Sequence, residues 1–136
     1  MKKTVLEDIG LLIMRLGAGS MILTHGVPKL MRFFGDEPIK FMDFLGLGPV
    51  VSLSLAVFAE FVCALLIMIG FKTRFATIPL MITMLTAALV AHSADPFSRK
   101  ELPLLYFIVF LCILIFGAGK FSIDGYTNRK SMYYNG

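Results

Sequence analysis

Long apolar stretches follow one another almost without relief in this chain, and only 16% of its residues are charged. Water-soluble domains carry roughly a quarter charged residues, because they must cover a surface that faces water. With 57% hydrophobic residues and a mean hydropathy of +0.82, this chain lacks the means to do so. Crossing the hydrocarbon core takes about 20 apolar residues at about 1.5 Å of rise each. The 136 residues therefore accommodate four such helices and little else. A separate soluble domain is excluded, and the expectation is one all-α transmembrane domain over 1–136, built as a four-helix bundle.

The spans are expected at about 9–31, 50–69, 75–92 and 102–116. Lys2 and Lys3 precede the first, but Glu7, Asp8 and Arg15 break any signal-peptide core, so it is read as a retained span. Between the first two spans, Asp36-Glu37-Pro38 is a helix-start signal. Apolar residues alternating there with Lys40 and Asp43 predict a short amphipathic helix at the interface, about 37–46. The turn Phe71-Lys72-Thr73-Arg74 forces the second and third spans into an antiparallel hairpin, with Pro79 a possible kink. Ser93–Glu101 is read as a polar loop and 120–136 as a polar tail along or beyond the interface.

The net charge of +4 reads as membrane orientation, since no basic stripe with interleaved aromatics suggests nucleic acid. One side holds Lys2, Lys3, Lys72, Arg74, Lys120, Arg129 and Lys130; the other holds Lys29, Arg32, Lys40, Arg99 and Lys100. This bias favours both termini in the cytoplasm. Cys63 and Cys112 stand alone in apolar runs and are read as packing residues.

Ionisable residues inside the spans are the candidates for function, because each costs at least about 2.5 kcal/mol at the centre of a helix. Arg15, Ile22 and Lys29 share one face of the first helix, with His25 to one side and Gly17, Gly19 and Gly26 allowing close approach. Glu60 lies near the middle of the second span, on a face with Ala56, Cys63, Ala64 and Ile67. His92 ends the third span and Glu101 opens the fourth. Depth places His25, Lys29, Glu60, His92 and Glu101 in the outer half, and Arg15 on the inner side within reach of Glu60. A histidine with a carboxylate in a low-dielectric bundle suits proton transfer, which makes His25 and Glu60 the candidate catalytic pair. Arg15, Lys29, His92 and Glu101 are candidate binding residues. The competing structural reading makes Arg15 and Glu60 an ion pair locking two helices. No HxxxH or similar spacing supports a metal site.

Arg15-Leu16-Gly17 with Gly19, followed by His25-Gly26-Val27-Pro28-Lys29-Leu30, resembles the first-helix signature of the DoxX family. Glu60 with Ile69-Gly70-Phe71-Lys72-Thr73-Arg74, and the closing stretch Gly117-Ala118-Gly119-Lys120-Phe121-Ser122-Ile123-Asp124, continue the match. The resemblance implies a four-helix bacterial inner-membrane protein. That family takes its name from a subunit of an archaeal thiosulfate:quinone oxidoreductase, and relatives are linked to quinone metabolism, thiol homeostasis and oxidative stress. Asp36, Glu37 and the 126–136 tail lie outside the shared pattern.

Two functions compete. In the first, the protein interacts with a quinone, alone or as a subunit of a membrane oxidoreductase. His25, Lys29 and Glu60 would meet the headgroup under a roof of Phe33, Phe34, Phe41 and Phe44. The sequence carries no haem, flavin or iron–sulfur signature, so electrons would come from a redox partner or a thiol. In the second, the protein is a non-catalytic scaffold for a soluble redox or secretion partner, and its buried charges are structural ion pairs. A proton-coupled carrier is less compatible with four helices lacking an inverted repeat, unless the chain forms a homo-oligomer.

Overall fold

Five helices account for most of the computed structural model, which describes residues 3–134. They are α1 (Val5–Met31), α2 (Pro49–Ile69), α3 (Thr73–Ala91), α4 (Phe97–Phe116) and α5 (Ile123–Tyr134). No strand occurs among the described residues. Thr4 and Glu7 form a reciprocal capping box: Glu7 N donates to Thr4 Oγ1 and Thr4 N to Glu7 Oε2, both at 3.2 Å. Satisfying these otherwise orphaned amides starts α1 at Val5, a turn earlier than the apolar run suggests. Extended Pro96 likewise starts α4 at Phe97, so part of the expected 93–101 loop is helical.

Helices α2 and α3 are each long and apolar enough to cross a membrane. Between them the chain reverses through Gly70 at φ 73° and Lys72 at φ 47°. Phe71 N donates to Leu66 O at 2.9 Å, closing α2 with the left-handed glycine turn that spares its last carbonyls. Helix α1 has 27 residues and α4 has 20. At 1.5 Å per residue they extend about 40 and 30 Å. All four pack around Ile22, Cys63, Ile67, Leu80, Met84, Phe110 and Ile113.

Residues 35–48 contain no helix, which corrects the amphipathic helix expected over 37–46. Seven residues between Pro38 and Gly46 are too few to offset the cost of helix nucleation. Side chains capture the backbone instead: Asp43 Oδ1 accepts from Gly48 N at 2.8 Å, and Ser52 Oγ accepts from Phe44 N at 2.8 Å. Leu45, Gly46 and Gly48 have φ of 54°, 75° and 87°, conformations no α-helix contains. The polar tail differs too, since it is helical as α5; residues 135–136 lie outside the described residues.

At the pole where α1 begins, the segment after α4 folds back over the ends of α1, α2 and α3. Arg15 is fully buried; its Nη1 donates to Ile67 O and Met68 O at 3.2 and 3.3 Å, and its Nη2 donates to Phe121 O. Asp124 caps α3 from outside, its two carboxylate oxygens accepting from Lys72 N and Thr73 N at 2.9 Å. Buried Asp8 accepts from Lys120 N at 2.9 Å. Arg15 therefore binds carbonyls rather than Glu60, correcting the expected pair. Lys29 stands fourteen residues further along the same helix, about 21 Å away, and it is Lys29 that reaches Glu60.

Replacing Arg15 with leucine strands three carbonyl groups and should cost about 2–3 kcal/mol. A lowered Tm in detergent would report it, with Arg15→Lys recovering only part because an ammonium cannot fork between the end of α2 and Phe121. An unchanged Tm for Arg15→Leu would contradict the latch.

Candidate functional site

Close approach of α1 to α2 builds the other pole. A Cβ added at Gly26 would strike the backbone carbonyl of Glu60, so glycine is what lets the two helices touch there. Gly19 makes the same allowance against Met68 and the carbonyl of Ala64, whereas Gly17 faces open space. Three residues beyond Gly26, Lys29 comes over Glu60 and its Nζ pairs with Glu60 Oε2. Glu60 is 3% exposed, so its carboxylate would be prohibitively unstable without that ammonium. Phe41 covers the lysine from the far side, its ring centroid 6.0 Å from Nζ.

Glu60 sits in a π-helical segment, Phe58–Cys63, and a second one, Ala87–Ala91, ends α3 just before His92. The wider turn is visible in His92 N donating to Ala87 O, five residues back, at 3.0 Å. Such bulges cost regular hydrogen bonding and recur where a helix must aim a side chain at a site.

Two cavities meet at the Lys29–Glu60 pair. The larger, about 460 Å³, is a groove between α2 and α3 lined by Leu55, Phe58, Pro79, Ile82, Thr83 and Thr86. Phe58 and Ile82 at its edges are 49% and 54% exposed, so it opens sideways along the apolar flank of the two helices. Phe41, Met42 and Phe44 from the 35–48 segment close its end, held by the Phe44–Ser52 hydrogen bond. The smaller cavity, about 230 Å³, lies on the opposite side of the pair. His25, Arg99 and Tyr106 line it, with Met84 and Ile22. Lys29, Glu60, Ala87 and His92 border both spaces.

The structure thus gathers His25, Lys29, Glu60 and His92, but not the other candidates. Glu101 lies exposed in the second turn of α4 and lines neither cavity. Arg15 is at the other pole. Phe33 and Phe34 form a short 3-10 turn after α1 and stay out of the groove, leaving Phe41 and Phe44 as its aromatic cover. Arg99 and Tyr106 are additions. Arg99 reads in the sequence as a loop charge and Tyr106 as one aromatic in an apolar run, so only the packing of α4 reveals them. Among the described residues, no three of His, Cys, Asp and Glu converge as a metal ligand set.

His92 is engaged from the loop side: its Nδ1 lies 2.7 Å from Asp95 Oδ2. That hydrogen bond holds the Asp95 carboxyl below the ordinary carboxylate range, opposed by partial desolvation and aided by Arg99 and Lys100.

Two helices long and apolar enough to cross a membrane, a buried carboxylate paired with a half-buried lysine, and a groove open along the helices' apolar flank are features of an integral membrane protein. The DoxX family model matches residues 10–93, and the chain belongs to the DoxX family. It is also similar to the inner membrane protein YqjF of Escherichia coli strain K12. The two are 33% identical over 135 residues, covering 96% of this chain and 99% of the relative. No solved structure matches it significantly.

Removing one partner of the central pair should be worse than removing both. Lys29→Met alone is expected to cost about 3 kcal/mol, and the double variant with Glu60→Leu to recover most of it. Detergent unfolding of the full cycle measures the coupling, and additive losses would mean the pair is not one unit. Gly26→Ala should lower stability by a comparable amount, by forcing α1 away from Glu60.

A third expectation concerns pH. Because its pKa is depressed in the folded protein, Asp95 contributes stability above the unfolded carboxylate pKa and loses it as pH falls through the lower folded value. The stability gap between the native protein and Asp95→Asn should therefore narrow below about pH 4. A gap that stays constant through that range would exclude the effect.

Proposed function

We propose that the protein crosses the bacterial inner membrane four times, with both termini in the cytoplasm, and binds a quinone headgroup in the groove between α2 and α3. The observation that carries this reading is an apolar cavity of about 460 Å³ that opens sideways and ends on an ion pair whose carboxylate is buried. A quinone reaches its protein from within the bilayer, so a lateral entrance flanked by Leu55, Phe58 and Ile82 suits it. Its flat ring needs an apolar slot with a few convergent polar groups. Phe41 and Phe44 offer the aromatic cover, Lys29 Nζ a charged donor to a quinone oxygen, and Glu60 an acceptor for a quinol proton. His25 and His92 stand behind the pair as candidate proton-exchanging groups. Electrons would be supplied by a partner, which makes an accessory subunit of a membrane oxidoreductase the closest description. The lengths of α1 and α4 and the alternation of the helices between two poles support the four-span topology.

A second reading, a scaffold for a soluble partner, is favoured by α5, whose Tyr126, Arg129 and Lys130 are exposed beyond the bundle. On that reading the central pair is structural only.

One measurement separates them. Protein purified in mild detergent and equilibrated with a short-chain ubiquinone should retain it, and Glu60→Gln and Lys29→Met should reduce retention at least about tenfold, as expected when a charged hydrogen bond is lost. Glu101→Gln, which lies outside both cavities, should retain it fully. Equal retention by the folded Glu60→Gln and Lys29→Met variants would exclude the quinone reading and leave the scaffold.

A further inference from the structure

The Lys29–Glu60 pair is a partition. On one side lies the groove, whose walls are apolar except for the hydroxyls of Ser52, Thr83 and Thr86, the His92 ring and the ends of the pair. On the other lies the smaller cavity, where His25, Arg99, Tyr106 and His92 face the same two side chains. These chambers differ in what they can hold. Four hydrogen-bonding side chains in about 230 Å³ satisfy the requirement that buried water have several polar partners, whereas the larger groove offers an oily molecule contact. The polar chamber also lies toward the aqueous phase: Arg99 is exposed, and His92 is tied to half-exposed Asp95 in the 92–96 connection. At the opposite pole the route is blocked by buried Arg15 and the folded-back segment 117–124.

We propose that the smaller cavity is a hydrated vestibule through which protons from the aqueous phase at the 92–96 pole, and from that phase alone, reach Glu60. This rests on reading the groove as the ligand chamber. A proton taken from vestibule water, directly or through His25 or His92, neutralises the Glu60 carboxylate while Lys29 stays an ammonium. Delivery of that proton to an oxygen of the groove ligand restores the carboxylate, and the reverse sequence releases a ligand proton to the same side. Every charged or titratable group facing the pair shares in this: His25 from α1, His92 at the end of α3 with Asp95 behind it, and Arg99 and Tyr106 from α4. Arg99 and Lys29 keep the vestibule electropositive, which disfavours entry of another cation beside Glu60. Sidedness then follows from architecture: a ligand arriving from the bilayer exchanges protons with one compartment.

Adjacent residues on α3 provide the test. Met84 lines the vestibule and Thr83 the groove, so they share a depth and differ in chamber. With Cys63 and Cys112 replaced by alanine, Met84→Cys and Thr83→Cys are treated with a charged, membrane-impermeant methanethiosulfonate in right-side-out and inverted vesicles. Ser93→Cys, exposed in the 92–96 connection, marks the side. Met84→Cys should react from the same side as Ser93→Cys and at least about tenfold faster than Thr83→Cys, since an apolar wall suppresses the thiolate. Thr83→Cys should react readily with a lipophilic maleimide. Reaction of Met84→Cys with the lipophilic reagent only, or from the opposite side, would overturn the proposal. The unmodified protein gives a second readout: the infrared carboxyl band that disappears in Glu60→Gln should follow the pH of the Ser93 side. A band that follows the other side would overturn the proposal as well. Neither readout uses a ligand, so the vestibule can fail while quinone retention stands, and retention can fail while the vestibule stands.

Discussion

A carboxylate in the middle of an apolar bundle sets the terms for everything around it. Glu60 can remain there only with a cation against it, and Lys29 can supply one only if α1 and α2 touch. Gly26 is therefore as much a part of the site as the charges, because any side chain at that position would meet the Glu60 carbonyl. The order of dependence runs from a missing Cβ, to helix contact, to an ion pair, and then to two cavities that exist as separate spaces because the pair stands between them.

The two poles solve opposite problems. At the Arg15 pole, Arg15, Asp8 and Asp124 bind backbone groups of distant segments, so these three charges hold separate parts of the chain together. A guanidinium suits this because its fork reaches Ile67, Met68 and Phe121 at once. At the other pole the side chains leave room. Loop segment 35–48 is pinned by Ser52 and Asp43 in a shape that covers the groove without filling it. A rigid base and an open mouth are what a site on a scaffold of only four long helices requires.

Much of this was readable beforehand. The apolar runs announced the helices, and the face shared by Arg15, Ile22 and Lys29 is indeed turned inward, all three being buried or half-buried. What the sequence could not convey was which charge meets which. Periodicity places residues around a helix but says nothing of its vertical offset from its neighbour, and that offset gave Glu60 to Lys29. The 37–46 segment misled because its pattern is amphipathic while its side chains prefer to bond the backbone. Glu101 misled because it lies on the exposed face of α4, and the orientation of that face is set by packing against the other helices. Arg99 and Tyr106 entered the site through the packing of α4, which no local pattern encodes.

The two π-helical segments carry a further implication. Each accommodates a residue more than regular helix would, and one residue is about 100° of helical phase. In α2 the bulge begins within the groove wall, at Phe58 and Glu60, and precedes the carbonyls of Ile67 and Met68 that Arg15 grips. Excising a single residue from Phe58–Cys63 would straighten the helix yet turn one end against the other, so that either the groove or the latch faces the wrong way. The bulge works as a phase adjuster, and length within this short stretch is constrained more tightly than the identity of the residues that fill it.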